Sequence, residues 1–106
     1  LDIAAAAERI VAFTEGMDEE TFGADARTHL AVQHQITVIG EAAKRLSPEA
    51  QGRMDELPWS AITRMRDRLI HGYDTVDLGI VWNTARQSIP RLLLTVRDRL
   101  AEGDAG

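Results

Sequence analysis

Val32-Gln33-His34-Gln35-Ile36-Thr37-Val38-Ile39-Gly40-Glu41-Ala42-Ala43-Lys44-Arg45-Leu46 carries the clearest helical repeat in the chain. Val32, Ile36, Ile39, Ala43 and Leu46 step by four, three, four and three, which lines one face of an α-helix. The spacing predicts a helix over 26–46, with Asp25 as its N-cap. A stripe of that length must pack against other helices. Gly40 lies inside it, where it costs about 1 kcal/mol relative to Ala. The compensation this implies is close approach of a neighbouring helix. Glu41 follows, read as a surface carboxylate; turned inward, it would seek Arg66 or another guanidinium.

Helix signals recur on both sides and strand signals are nearly absent. Residues 2–14 are Ala-rich, with Ile3, Ala6, Ile10 and Phe13 at helical spacing and Gly16 as a stop. Asp18 suits the cap of a short turn through Phe22. Ser47 caps a short helix with Pro48 in its first turn. Pro58 opens the next helix, whose stripe is Trp59, Ile62, Met65 and Leu69, and Gly72 stops it. Asp77 caps a last helical region carrying Val81, Trp82, Ala85 and Ile89. Pro90 forces a kink, or a break with a new helix through Leu100. The expectation is an all-α, antiparallel up-and-down bundle of four to five helices in one domain, 1–106, with a frayed tail at 103–106.

The chain has 106 residues, no cysteine and a net charge of −5. No disulfide framework or thiolate chemistry is available, which suits a reducing cytoplasm. No apolar run approaches the roughly 20 residues of a membrane span. There is no secretory signal pattern, although the chain begins at Leu1 rather than a methionine. The acidic balance argues against simple non-specific nucleic-acid binding. The charge is unevenly spread, however. Residues 1–25 carry seven acids against Arg9 alone, whereas 26–106 carry eleven bases and ten acids. A local anion site on an acidic protein is compatible with this.

The candidate chemistry lies in Arg66-Asp67-Arg68-Leu69-Ile70-His71-Gly72-Tyr73. Arg is permanently charged and forks onto phosphate oxygens. His titrates near neutral pH. Together they supply a base or acid and a clamp for developing negative charge, which phosphodiester cleavage without a metal needs. Asp67 precedes His71 by four residues and would orient the imidazole. A helix-terminal His also suits the dipole and the last carbonyls, without any catalysis. Arg66 sits about 140° around the helix from His71, so the two do not share a face. A helix end contributed by each of two protomers would resolve that. Arg66 also follows Ile62 by four on the apolar stripe, an unusual place for a cation unless an anion or a second chain meets it. Arg64 and Arg68 are further candidate phosphate contacts, or a solvated face. Tyr73 suits phosphate donation or covalent modification, and equally ordinary packing.

Other features read as structural. His29 and His34 are five apart, not the four of paired helical metal ligands, and suit a surface or an interface. No metal motif, phosphate-binding glycine loop or nucleophile elbow is present. Trp59 and Trp82 read as core anchors.

The run Arg66 to Tyr73 resembles the R-x4-H-x-Y signature of HepT-like toxins in the HEPN superfamily. Asp67 is an allowed variant of the polar residue after the Arg. Phe13-Thr14-Glu15-Gly16, Ile39 to Ser47, Pro58-Trp59 and Val81-Trp82 look like family landmarks in order, so the resemblance covers about 2–100. It implies a homodimeric bundle with motif helices near a shared cleft. It implies a metal-independent endoribonuclease acting on tRNA or mRNA, without a cofactor. It also implies a type VII-like toxin–antitoxin pair, whose antitoxin is a minimal nucleotidyltransferase able to transfer AMP to Tyr73. In such an enzyme the RNA 2′-hydroxyl is the nucleophile, His71 is base or acid, Arg66 holds the scissile phosphate and Asp67 tunes His71. The alternative is a non-catalytic module that binds a nucleotide phosphate or partners a nucleotidyltransferase. The acidic N-terminal quarter leans towards that alternative, and the intact Arg66–His71 pair towards the nuclease.

Overall fold

The computed structural model describes residues 2–55, 57, 59–71 and 76–105, and for Asp2, His71 and 100–105 the backbone alone. Pro58 and Gly72, read as a helix start and a helix stop, lie outside the described residues. The chain is all-α, with no strand among the described residues. Four long helices are α1 (Asp2–Thr14), α3 (Ala26–Arg45), α5 (Trp59–His71) and α7 (Ile89–Ala105). Short α2 (Glu19–Ala24), α4 (Pro48–Arg53) and α6 (Leu78–Asn83) lie between them.

Local sequence sets most of these ends. The Asp18 side chain accepts from Thr21 N–H at 2.8 Å, and Thr21 Oγ1 accepts from Asp18 N–H at 3.0 Å, a reciprocal cap for α2. Asp25 accepts from Thr28 N–H at 3.1 Å and opens α3. Ser47 caps α4 with Pro48 in the first turn, and Asp77 caps α6 through Gly79 and Ile80. Gly16 follows α1 at φ 80°, a left-handed conformation that glycine adopts freely.

The core runs between α1, α3, α6 and α7. Ile3, Ala6, Ile10, Val32, Ile39, Val81 and Val96 are nearly or fully buried. Phe22 of α2 is fully buried, against Trp82 at 5.2 Å between ring centroids and His29 at 6.2 Å. α3 packs between α1 and α5, while α7 packs on α1. Glu8 pairs with Arg97 and Thr14 with Arg86, so α7 and the turn before it run antiparallel to α1. Gln51 of α4 donates to Ala43 O, and Trp59 Nε1 donates to Gln51 O and Met54 O. That link turns α5 back along α3. The Cα trace spans 45 × 29 × 17 Å, thin enough for two helix layers.

Two sequence expectations change in detail. The α1 stripe turns through Thr14, which is fully buried, and leaves Phe13 41 % exposed. Thr14 can be buried because its hydroxyl donates to Ile10 O at 2.9 Å and accepts from Arg86 Nη1 at 3.2 Å. A new α-helix, α7, does open at Pro90, with Pro90 its second residue, but no gap separates it from α6. A π-helical turn, Thr84–Ser88, joins α6 to α7, and Ile89 N–H donates to Thr84 O five residues back. Proline lacks an N–H and crowds the carbonyl four residues earlier, and a widened turn displaces that carbonyl. The α7 backbone is described to Ala105.

Candidate active site

α5 approaches α3 closely at Gly40. A Cβ on Gly40 would stand 2.2 Å from Arg66 Cβ and 2.5 Å from its Cγ. The missing side chain therefore admits the stem of Arg66 into the seam, and only 17 % of the Arg66 side chain is exposed. A cation held there needs anions, and two carboxylates meet it. Arg66 Nε donates to Glu41 Oε1 at 3.2 Å, and Nη2 donates to the same oxygen. Nη1 donates to Asp67 Oδ1 at 2.8 Å. Lys44 Nζ donates to Asp67 Oδ1 at 3.2 Å. α3 thus supplies Glu41 and Lys44, three residues apart on one face, and α5 supplies Arg66 and Asp67.

The four formal charges cancel. The hydrogen bonds and charge of Arg66 hold the Glu41 carboxyl below its usual range. Arg66 and then Lys44 hold Asp67 low in the same way. The carboxylates in turn push the Arg66 guanidinium further up. All three groups are therefore ionised at neutral pH. A guanidinium has five N–H donors, and three are engaged by Glu41 and Asp67. Among the described residues nothing else accepts from the remaining two, which can hold an anion such as a phosphate oxygen.

α5 ends at His71, five residues after Arg66. On a straight helix that is about 7.5 Å along the axis and 140° around it. The backbone therefore places Arg66 at the middle of α5 and His71 at its end, on different faces. Asp67 lies four residues before His71, and its Oδ1 accepts from both Arg66 and Lys44. The His71 side chain and Tyr73 lie outside the described residues. Arg64 and Arg68 are exposed, about 160° around α5 from Arg66, and are not brought to the same cluster.

The cation on the apolar stripe is legible in the sequence, Glu41 is its partner there only if turned inward, and nothing marks Lys44 by itself. The signal for both is Gly40. Residues one and four positions after a close-approach glycine sit at the same seam, so Glu41 and Lys44 face whatever crosses there. The tryptophans follow their structural reading, whereas of the two histidines read as surface residues His29 is half-buried beside Phe22. His34 is exposed, and His29 Nδ1 lies 3.2 Å from Gln33 Nε2. Trp59 and Trp82 pack against the core cluster. Among the described residues no group of three or more His, Asp or Glu is disposed to hold a metal ion. No helix there is long and apolar enough to cross a membrane.

Residues 3–98 match the family described as Ribonuclease HepT-like. A protein of Thermococcus cleftensis named "Probable ribonuclease HepT" is 41 % identical over 91 residues, covering 86 % of this chain and 83 % of the relative. A Methanocaldococcus jannaschii protein named as a candidate RNase is 36 % identical over 91 residues, 86 % of this chain and 78 % of that one. Another, from Caldanaerobacter subterraneus, is 34 % identical over 93 residues, 88 % and 83 % of the two chains. No solved structure matches the chain.

Proposed function

Because the chain belongs to the Ribonuclease HepT-like family, we propose that it is an endoribonuclease that cuts RNA without a metal ion. We place it as the toxin of a cytoplasmic toxin–antitoxin pair, one HEPN-type domain over 1–106 acting as a homodimer. The observation that carries the reading is Arg66, held in the α3–α5 seam with two N–H donors left, on the helix that ends at His71.

The chemistry follows from those two side chains. His71 takes the proton from the RNA 2′-hydroxyl, and the 2′-oxygen attacks the adjacent phosphorus. The P–O5′ bond breaks, and the departing 5′-oxygen takes a proton from the His71 of the other protomer. The products are a 2′,3′-cyclic phosphate and a 5′-hydroxyl. Arg66 donates to the non-bridging oxygens as their charge builds. Two protomers placing their α5 ends at one cleft bring an Arg66 and a His71 to the same phosphate, which the 140° separation on one helix makes awkward. Arg64 and Arg68, on the exposed side of α5, attract flanking phosphates. A nucleotidyltransferase antitoxin that adds AMP to Tyr73 would place a phosphate at the site's mouth and repel the RNA backbone.

The test is cleavage of total tRNA by purified protein in EDTA. Wild type should leave cyclic-phosphate and 5′-hydroxyl ends. His71→Ala and Arg66→Ala, each verified as folded by circular dichroism, should lower the rate about 100-fold or more. Wild-type rates in either variant overturn the residue assignment. A requirement for a divalent cation overturns the metal-independent reaction.

A further inference from the structure

Glu41 has no part in the chemistry above, yet it accepts more hydrogen bonds from Arg66 than any other described side chain. Its single oxygen Oε1 accepts from Nε and Nη2, the two nitrogens along one edge of the guanidinium plane. Asp67 accepts from the third nitrogen, Nη1. A planar group tied along one edge and at the opposite nitrogen cannot turn about its Cδ–Nε bond without losing contacts. The stem cannot swing either, because its Cβ and Cγ fill the space above Gly40.

We propose that Glu41 is a positioning residue for RNA cleavage, fixing the plane of Arg66 so that its remaining N–H donors face the scissile phosphate. The inference rests on the nuclease reading. Glu41 does not touch the phosphate. It acts on the reaction through the orientation of Arg66, and as a carboxylate 39 % exposed beside a phosphate site it also repels a polyanion. These two effects have opposite kinetic signs. Orientation raises the rate of the chemical step, whereas repulsion weakens substrate binding.

The experiment is steady-state cleavage of a defined tRNA in EDTA by wild type, Glu41→Ala, Glu41→Gln and Glu41→Asp, with melting temperatures measured alongside. Glu41→Ala removes both the aim and the repulsion, so kcat should fall at least 10-fold while KM stays equal or falls. Glu41→Gln keeps an oxygen acceptor without the charge, so kcat should recover most of that loss with KM below wild type. Glu41→Asp keeps the charge but withdraws the oxygen by one methylene, so kcat should fall although the charge is unchanged. If Glu41→Ala does not fold, the Gln and Asp variants decide. Wild-type kcat in Ala or Asp overturns the proposal and leaves the nuclease reading standing. So does a raised KM at constant kcat, which would make Glu41 a substrate-binding group. So does an equal loss in Gln and Ala, which would tie the effect to charge rather than aim. A wild type that is folded, unmodified and unable to cut overturns the nuclease reading and this inference with it.

Discussion

At Gly40, helix propensity and packing pull in opposite directions. Alanine would improve the interior of α3 by about 1 kcal/mol. Its Cβ would collide with the Arg66 Cβ, an atom fixed to the α5 backbone rather than the tip of a flexible chain. Overpacking of that kind costs about 1–3 kcal/mol, and here it would drive the helices apart. Gly40→Ala should therefore lower the urea midpoint and weaken cleavage by moving Arg66. A variant as stable as wild type would show that the helices do not approach so closely. This residue also marks how far the site was legible in sequence. A glycine inside a strong helix announces a crossing, and a cation on the apolar stripe of another helix announces an anion. That Glu41 meets Arg66, and that Lys44 closes on Asp67 from α3, depended on which turn of α3 faces α5. At Phe13 and Thr14 the same limit appears in reverse. An apolar stripe gives a face to within one residue, and the partner surface decides whether the phenyl ring or the hydroxyl turns inward.

Individual elements were read most securely at their starts. Asp18, Asp25, Ser47 and Asp77 all cap the helices assigned to them, because an N-cap is a contact between residues two or three apart. Asp25 accepts from both the N–H and the hydroxyl of Thr28. Asp25→Ala should cost about 1 kcal/mol in chemical denaturation, within the usual range of roughly 0.5–2, and Asp25→Asn much less. An unchanged midpoint in the Ala variant would mean that α3 begins elsewhere. The ends of elements depend on more distant groups. Pro90 guaranteed a disturbance, but a kink, a break and a widened turn all satisfy a missing N–H. The π turn prevails because it keeps Ala85 and Ile89 buried while α6 and α7 stay joined.

At the scale of the whole molecule, α5 is held chiefly by α3, whereas α3 and α7 each pack on α1 as well. A pocket of about 110 Å³, lined by Ile36, Ile39, Ile62, Met65, Ile89 and Leu92 among others, remains between α5, α3 and α7. Fewer buried contacts mean easier local opening. The Glu41 and Asp67 pairs add to the attachment of α5, and their pH dependence has a definite sign. Both carboxyls are lowered in the folded state. Their contribution is full above the ordinary values, 4.5 for Glu41 and 3.8 for Asp67, and is lost as pH falls from there towards the folded values. Native-state hydrogen exchange should show α5 opening at lower free energy than the centre of α3 at pH 7, and the gap should widen near pH 4. Exchange of α5 only with global unfolding, or a gap insensitive to pH, would contradict this arrangement. Sequence alone sets the helical class, the four long helices, the caps of α2, α3, α4 and α6 and the Arg66–His71 spacing, because periodicity and capping act between residues a few positions apart. The tertiary structure alone decided that Gly40 receives Arg66, that two carboxylates fix the guanidinium and that α5 rests chiefly on one neighbour. Asp67 is the neighbour of Arg66, but the contacts between α3 and α5 join residues about 25 positions apart, and only the packing of one helix face on another sets which of them meet.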